Sequence, residues 1–99
     1  MAVVLAVVLS VSACSVGRPS EDATGEEIYA ELCARCHGAD LSGGLGPALG
    51  PGTNSATESD EFLEFTILNG RGRMPSFASS LDDQQVDRLV VYMREIQAE

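Results

Sequence analysis

The chain has 99 residues, which is enough for one small domain with little buried surface. Its six arginines, its lack of lysine and its 15 acidic residues give a formal net charge of −9. This charge argues against nucleic-acid binding, because phosphate contacts need a basic face. With three Phe, two Tyr and no Trp, the core is thin, so we expect a disulfide, a metal or a large bound cofactor to complete it.

The first 13 residues are expected to form a secretory signal peptide. Their apolar run, MAVVLAVVL, is too short to cross a bilayer as a helix but suits the apolar region of a signal. No positively charged residue precedes the run, although signals normally begin with one. We therefore expect the true start of translation to lie upstream.

The residues that follow this run indicate a lipid anchor. The segment VSAC at residues 11–14 resembles a bacterial lipobox, in which the cysteine is acylated and becomes the mature N-terminus. The alternative is an ordinary cleaved signal in which Cys14 has no role. Residues 14–23 are mostly polar, with a glycine and a proline, and predict a flexible tether of at most about 30 Å. The tether would keep the domain, residues 24–99, close to a membrane on the extracytoplasmic side.

The first helix of this domain is predicted to begin at Thr24 and to end near Cys33. Thr24 and Glu27 have the spacing of a capping box. Residues 38–54 follow and are rich in glycine and proline. This composition predicts either a loose loop or backbone that passes close to a flat cofactor, since glycine permits close approach.

A second helix is predicted over residues 60–68, with Gly70 just beyond its end. Three of its apolar side chains are expected to point inward: Phe62, Phe65 and Ile67.

A third helix is predicted to begin near Asp82 and to run to the C-terminus, with Gln85 completing a second capping box. Four apolar residues form a stripe with the spacing i, i+3, i+4, i+7: Val86, Leu89, Val90 and Met93. No segment alternates as a strand does, so the predicted fold is all-α, with about three main helices.

The chemistry of the chain is concentrated in the sequence Cys33-Ala34-Arg35-Cys36-His37. This is the C-x-x-C-H pattern of covalent haem attachment. Side chains three residues apart share one side of a helical turn, so two thiols can reach two vinyl groups of one porphyrin and form thioethers. The next residue, His37, can then bind the iron through a neutral imidazole nitrogen.

The same pattern has three other interpretations. A thioredoxin-like redox pair would need a βαβ context, which the sequence lacks. A zinc site normally needs four ligands, and the chain has one His and, besides this pair, only the distant Cys14. A structural disulfide is the third possibility. The pattern favours one covalent haem c over all three.

The second axial ligand of the iron is predicted to be Met74. His37 is the only histidine, so two histidine ligands from one chain are excluded. Met1 belongs to the expected signal, and Met93 lies on the apolar stripe of the last helix, where methionine usually packs. Met74 lies in a loop stiffened by Pro75, and its thioether can approach the face opposite His37. The alternative is that Met74 merely packs or lies at the surface.

The domain resembles a class I, monohaem cytochrome c of the short bacterial kind, over nearly all of residues 24–97. Gly25 and Tyr29 resemble the positions of this family at which the first helix contacts the last, and Tyr92 resembles the aromatic residue on the other side of that contact. The resemblance implies an all-α fold wrapped around one covalent haem c whose edge is exposed.

The resemblance also implies roles for two loops. Pro47 resembles the proline whose carbonyl orients the haem-binding histidine, and residues 69–75 resemble the loop that carries the methionine ligand. Arg71 and Arg73 are candidates to meet the haem propionates, with two solvated loop arginines as the equally weighted alternative.

The function implied is single-electron transfer outside the cytoplasm, with no catalytic residue and with redox proteins as electron donor and acceptor. The chain lacks the lysines that ring the haem edge of mitochondrial relatives, so its partners are expected to offer a basic docking patch. One alternative is a haem subunit of an oxidase or dehydrogenase complex. Another is a ligand-binding sensor or a peroxidase, should Met74 leave the iron readily.

Overall fold

The computed structural model describes residues 17–99. The expected signal, the lipobox with Cys14 and the first residues of the tether lie outside the described residues. In the described part the secondary structure is helical, without a strand, and its only pairing of extended residues is one isolated bridge. Five helices follow one another: α1 (Gly25–Leu32), α2 (Ala34–His37), α3 (Asn54–Thr57), α4 (Asp60–Asn69) and α5 (Asp83–Gln97).

Both predicted capping boxes are confirmed. The Thr24 hydroxyl accepts from the Glu27 amide at 3.1 Å, and the Glu27 carboxylate accepts from the Thr24 amide at 3.2 Å. Asp82 and Gln85 exchange the same pair of bonds at 2.8 Å each. These bonds satisfy backbone amides that a helix start otherwise leaves without partners, so α1 and α5 begin where the sequence predicts.

The packing of α1 against α5 forms the frame of the domain. At Gly25 the backbone of α5 is so close that a Cβ atom would lie 2.1 Å from the Arg88 carbonyl oxygen. The rings of Tyr29 and Tyr92 meet nearby, with centroids 5.7 Å apart. The helix contact that the family resemblance implies is therefore present, and only glycine fits at its closest point.

The core lies between α1, α4 and α5. The four residues of the predicted stripe on α5 are all buried. On α4 the expectation for Phe65 is wrong, because Phe65 is 65% exposed. Leu63 and Ile67 are the buried residues of this helix. They are four apart and share one face, whereas Phe65 is two positions from each and points to the opposite side.

The segment before α1 is fastened to α5. Gln85 donates to the Pro19 carbonyl at 3.3 Å, and Arg88 donates to the Ala23 carbonyl at 3.0 Å. Pro19 and Ala23 are both buried. Residues 19–23 were expected to belong to a flexible tether, and they pack on the domain instead.

No helix within residues 17–99 is long and apolar enough to cross a membrane.

Candidate functional site

The C-x-x-C-H sequence lies where α1 gives way to the single turn α2. Cys33 separates the two helices, and its carbonyl accepts from the amides of Cys36 at 3.2 Å and His37 at 3.0 Å. The thiols of Cys33 and Cys36 are half-buried and are not joined to each other. Burial, followed by the neighbouring Cys36, raises the pKa of the Cys33 thiol to about 12. Since the two sulfurs are not joined, each can form its own bond.

His37 is buried, with 8% of its surface exposed, and its ring is held by the backbone. Its Nδ1 atom lies 2.7 Å from the Pro47 carbonyl oxygen. Since a carbonyl only accepts, Nδ1 carries the proton and Nε2 keeps its lone pair. No hydrogen bond to Nε2 is found among residues 17–99. Metal-binding histidines are typically arranged in this way, with one ring nitrogen held by a hydrogen bond and the other left for the metal.

The segment over residues 38–53, here called the glycine loop, wraps the His37 side of the site. A Cβ atom at Gly46 would lie 3.0 Å from Cε1 and 3.1 Å from Nδ1 of His37. The Gly46 amide donates to the Cys36 carbonyl at 2.7 Å, and the Gly43 amide donates to the His37 carbonyl at 2.8 Å. The backbone thus passes close to the imidazole of His37, and its predicted approach to the cofactor stays a prediction.

Tyr29 fixes the beginning of the glycine loop. Its hydroxyl donates to the Gly38 carbonyl at 2.6 Å, and its ring is 1% exposed. Burial, followed by the charges of Cys33, Tyr92 and Asp40, raises the pKa of Tyr29 from 10.0 to about 12. The phenol thus remains a hydrogen-bond donor well into the alkaline range.

Residues 70–77, here called the methionine loop, carry Met74. Arg71 and Met74 exchange two backbone hydrogen bonds, of 3.1 and 2.9 Å, around a tight turn. At Gly70, where φ is +75°, a Cβ atom would lie 2.6 Å from the Met74 carbonyl oxygen. Met74 is half-buried and packs against the core.

The far end of the methionine loop returns to α4. The Ser76 hydroxyl donates to the Leu68 carbonyl, and the Phe77 amide donates to the Ile67 carbonyl at 3.0 Å. The loop is therefore closed on the helix from which it emerges.

The two candidate propionate contacts differ in surroundings. The guanidinium carbon of Arg71 lies 5.9 Å from the centre of the Phe62 ring, which is within the range of a cation–π contact. Arg73 is exposed at the tip of the turn. Their contact with propionates remains a prediction.

Two polar residues near the site were not singled out from the sequence. Arg94 and Gln97, in the last turns of α5, bond to α3, to the start of α4 and to the end of the glycine loop. No motif marks them, because their partners are mostly backbone atoms far away in the chain. The spacing of three, which puts both side chains on one helix face, is their only sequence signal.

The residues present fit a covalent haem better than a metal ion bound by side chains alone. Within residues 17–99, no three His, Cys, Asp or Glu side chains are placed to hold a metal ion together. Two unpaired thiols one helical turn apart and a buried imidazole with a free Nε2 instead match the attachment and ligation of a c-type haem.

Comparison with known proteins gives the family. The family model described as Cytochrome C oxidase, cbb3-type, subunit III matches residues 20–93. The dihydro-heme d1 dehydrogenase of Pseudomonas aeruginosa is 42% identical over 74 residues, which cover 73% of this chain and 15% of that protein. Cytochrome c-551 of Bacillus subtilis is 38% identical over 72 residues, which cover 72% of this chain and 60% of that protein.

Among solved structures, cytochrome cL from Hyphomicrobium denitrificans matches with a TM-score of 0.67 and 36% identity, over 74% of this chain and 45% of that one. The chain thus spans less than two thirds of the length of each relative named here. The matched region contains both loops and the C-x-x-C-H sequence. The chain therefore belongs to the class I cytochrome c family, and one covalently attached haem c is its cofactor.

Proposed function

We propose that this chain is a single-electron carrier that works outside the cytoplasm and takes both axial iron ligands from its own residues. In this proposal Cys33 and Cys36 hold the haem through thioethers, His37 binds the iron on one face and Met74 binds it on the other. When bound, the haem supplies a one-electron couple between ferrous and ferric iron. The hydrogen bond from His37 to the Pro47 carbonyl is the observation that carries the proposal.

The part played by His37 follows from its surroundings. The 2.7 Å bond at Nδ1 fixes the tautomer, leaves Nε2 as the donor atom and makes the imidazole a stronger ligand. Gly46 allows the glycine loop to lie directly against the ring. A ligand held in this way barely moves when the charge of its metal changes, which suits electron transfer.

The part played by Met74 is to fill the remaining axial position. A thioether ligand favours the ferrous state and raises the reduction potential. It also keeps small molecules from the iron. No second histidine exists that could act as acid or base toward peroxide. These features support an electron carrier over a sensor or a peroxidase.

Replacement of Met74 tests this proposal. In the haem-loaded protein, Met74→Ala is expected to lower the reduction potential and to let carbon monoxide bind the reduced form. The matched control is Met93→Leu, which removes a sulfur from the buried face of α5 at nearly constant volume and is expected to change neither property. If the absorption spectrum of Met74→Ala equals that of the wild type, Met74 has no part in the mechanism.

A fixed subunit of a larger redox enzyme is the second candidate. It is favoured by the 42% identity to a short part of a dehydrogenase. The 38% identity to a cytochrome favours a separate carrier, since the match covers 60% of that protein. Purification from membranes solubilised in mild detergent distinguishes the two, because a subunit leaves the column in stoichiometric complex with a dehydrogenase or oxidase.

Two further features of the proposal concern location and docking. Acylation of Cys14 would anchor the protein to a membrane, and the mass of the mature protein tests this, since an unacylated N-terminus at another residue would refute it.

The net charge of −9 favours partners with a basic docking patch. Electron-transfer rates with such partners are expected to fall as ionic strength rises, and rates that do not change with salt would contradict electrostatic docking.

A further inference from the structure

The last turn of α5 reaches the far end of the glycine loop. Gln97 donates from Nε2 to the Leu49 carbonyl at 2.9 Å and to the Ser55 hydroxyl at 3.2 Å. Leu49 stands only two residues after Pro47, whose carbonyl holds His37. The Gln97 side chain of α5 is thus bonded two residues away from the carbonyl that orients His37.

Arg94 sets the direction in which the Gln97 amide points. Its Nη1 atom donates to Oε1 of Gln97 at 2.7 Å. Since Oε1 is occupied as an acceptor, Nε2 is the end that faces the Leu49 carbonyl. Arg94 itself is held by the Asp60 carboxylate at 2.8 Å and by the Ser55 carbonyl at 3.3 Å. The guanidinium therefore cannot swing away without breaking several bonds.

The loop around Pro47 is held on both sides. On one side the Gly46 amide is bonded to the Cys36 carbonyl at 2.7 Å. On the other side Leu49 donates to the Leu41 carbonyl at 2.9 Å and accepts from Gln97. Only Pro47 and Ala48 lie between these two anchors. A displacement of Leu49 is therefore shared between Pro47 and Ala48.

We propose that Gln97, oriented by Arg94, is a positioning residue for the haem-binding histidine. It holds the Leu49 end of the loop so that the Pro47 carbonyl stays on Nδ1 of His37, and through this bond it sets the reduction potential. Loss of the Gln97 donor weakens the bond to Nδ1. A weaker bond makes the imidazole a poorer donor to ferric iron, so the potential rises. This inference rests on the proposed role of His37 as an iron ligand.

The test compares Gln97→Met with Gln84→Met in the haem-loaded protein. Both variants place the same apolar side chain on α5. Gln84 is exposed near the start of that helix, remote in sequence from the last turn. Gln97→Met is expected to raise the reduction potential and to speed solvent exchange of the His37 Nδ1 proton in the reduced protein by up to about five-fold, the factor for complete loss of one neutral hydrogen bond. Gln84→Met is expected to match the wild type in both.

A purely structural role for Gln97 gives a different result. In that case Gln97→Met lowers the unfolding temperature but leaves the potential and the Nδ1 proton exchange unchanged, and the proposal is overturned. Should Gln97→Met fail to accumulate, Gln97→Glu keeps an acceptor for Arg94 and loses the donor to the Leu49 carbonyl and to the Ser55 hydroxyl. Faster Nδ1 proton exchange in Gln97→Glu supports the proposal, and exchange at the wild-type rate overturns it.

The wild-type protein separates this inference from the proposed function. If His37 is the ligand, the magnetic resonance signals of its ring in the reduced protein are strongly shifted by the ring current of the haem. Unshifted signals would refute the proposed ligation before any variant is compared. Shifted signals together with an unaffected Gln97→Met would refute only the positioning role.

Discussion

The glycine loop and the methionine loop differ in what holds them. The glycine loop is bonded to the backbone of Cys36 and His37 and, at its far end, to Gln97 of α5. The methionine loop is bonded within itself and to α4, the helix from which it emerges. In its hydrogen bonds, one loop therefore depends on a residue at the distant end of the chain, and the other depends on nearby partners.

The difference in hydrogen bonding predicts which side of the site unfolds locally first, the Met74 side or the His37 side. A segment held by a few local and partly exposed bonds opens at a lower free energy than one tied into the core. We therefore expect the Met74 side to open without global unfolding, while the His37 side stays closed until α1 and α5 separate. The variants below test this contrast, in order of decreasing expected effect.

Gly70→Ala should have the largest effect, and it should be confined to the methionine loop. The new Cβ atom would lie 2.6 Å from the Met74 carbonyl oxygen, and the backbone at φ +75° disfavours any side chain. Together the strain and the overlap should cost about 2 to 5 kcal/mol of local stability. We expect carbon monoxide to bind the reduced variant. The absorption spectrum of the reduced variant with carbon monoxide measures this binding.

Gly72→Ala is the matched control in the same turn. Its φ is +58°, but a Cβ atom there meets nothing within 4 Å. It should therefore bear only the conformational strain of about 1 to 2 kcal/mol and bind much less carbon monoxide. Equal binding by the two variants would mean that close packing at Gly70 does not hold the loop.

Tyr29→Phe probes the His37 side and should have an intermediate effect. It leaves the Gly38 carbonyl without its donor, which should cost about 1 to 2 kcal/mol of the free energy of unfolding at neutral pH. The change should appear in denaturant unfolding without any gain in carbon monoxide binding. Tyr92→Phe is the control, because no hydrogen bond of its hydroxyl is found in the described part of the chain.

Tyr29→Phe should also change how the free energy of unfolding depends on pH in the alkaline range. The pKa of Tyr29 is raised from 10.0 to about 12 in the folded protein, mainly by burial. The folded state thus binds more protons than the unfolded state between these values, so the stabilisation is complete below pH 10 and is lost as the pH rises toward 12. Tyr29→Phe should lose less stability than the wild type over this interval. An unchanged alkaline slope would contradict the assignment.

Ser76→Ala should have the smallest effect of the three. It removes the bond from the Ser76 hydroxyl to the Leu68 carbonyl, an exposed bond worth about 0.5 to 1 kcal/mol. Global stability should hardly change, but the reduced variant should bind a small amount of carbon monoxide, whereas the wild type should bind none, as measured by the absorption spectrum. Ser79→Ala, at an exposed serine of the segment that follows the loop, should behave as wild type.

The sequence predicts those features that are encoded locally. The capping boxes at Thr24 and Asp82 and the stripe on α5 follow from spacing alone, and the structure confirms them. The resemblance to the family adds the contact of Pro47 with His37 and the close packing at Gly25, which spacing does not reveal.

The features that the sequence analysis missed depend on long-range packing. Whether Phe65 points inward depends on which face of α4 meets α5, and the mixed apolar pattern of α4 leaves more than one face possible. The burial of Pro19 and Ala23 depends on Gln85 and Arg88, which are polar side chains with backbone partners over 60 residues away. The bonds of Gln97 to the glycine loop are of the same kind.

The central claim is that this chain fills both axial positions of its haem iron, with His37 and Met74. The most direct test is the absorption spectrum of the reduced wild-type protein at neutral pH before and after addition of carbon monoxide. We predict no change in the spectrum, because neither position is open to an external ligand. Prompt formation of a carbon monoxide complex would contradict the claim and would favour a ligand-binding role.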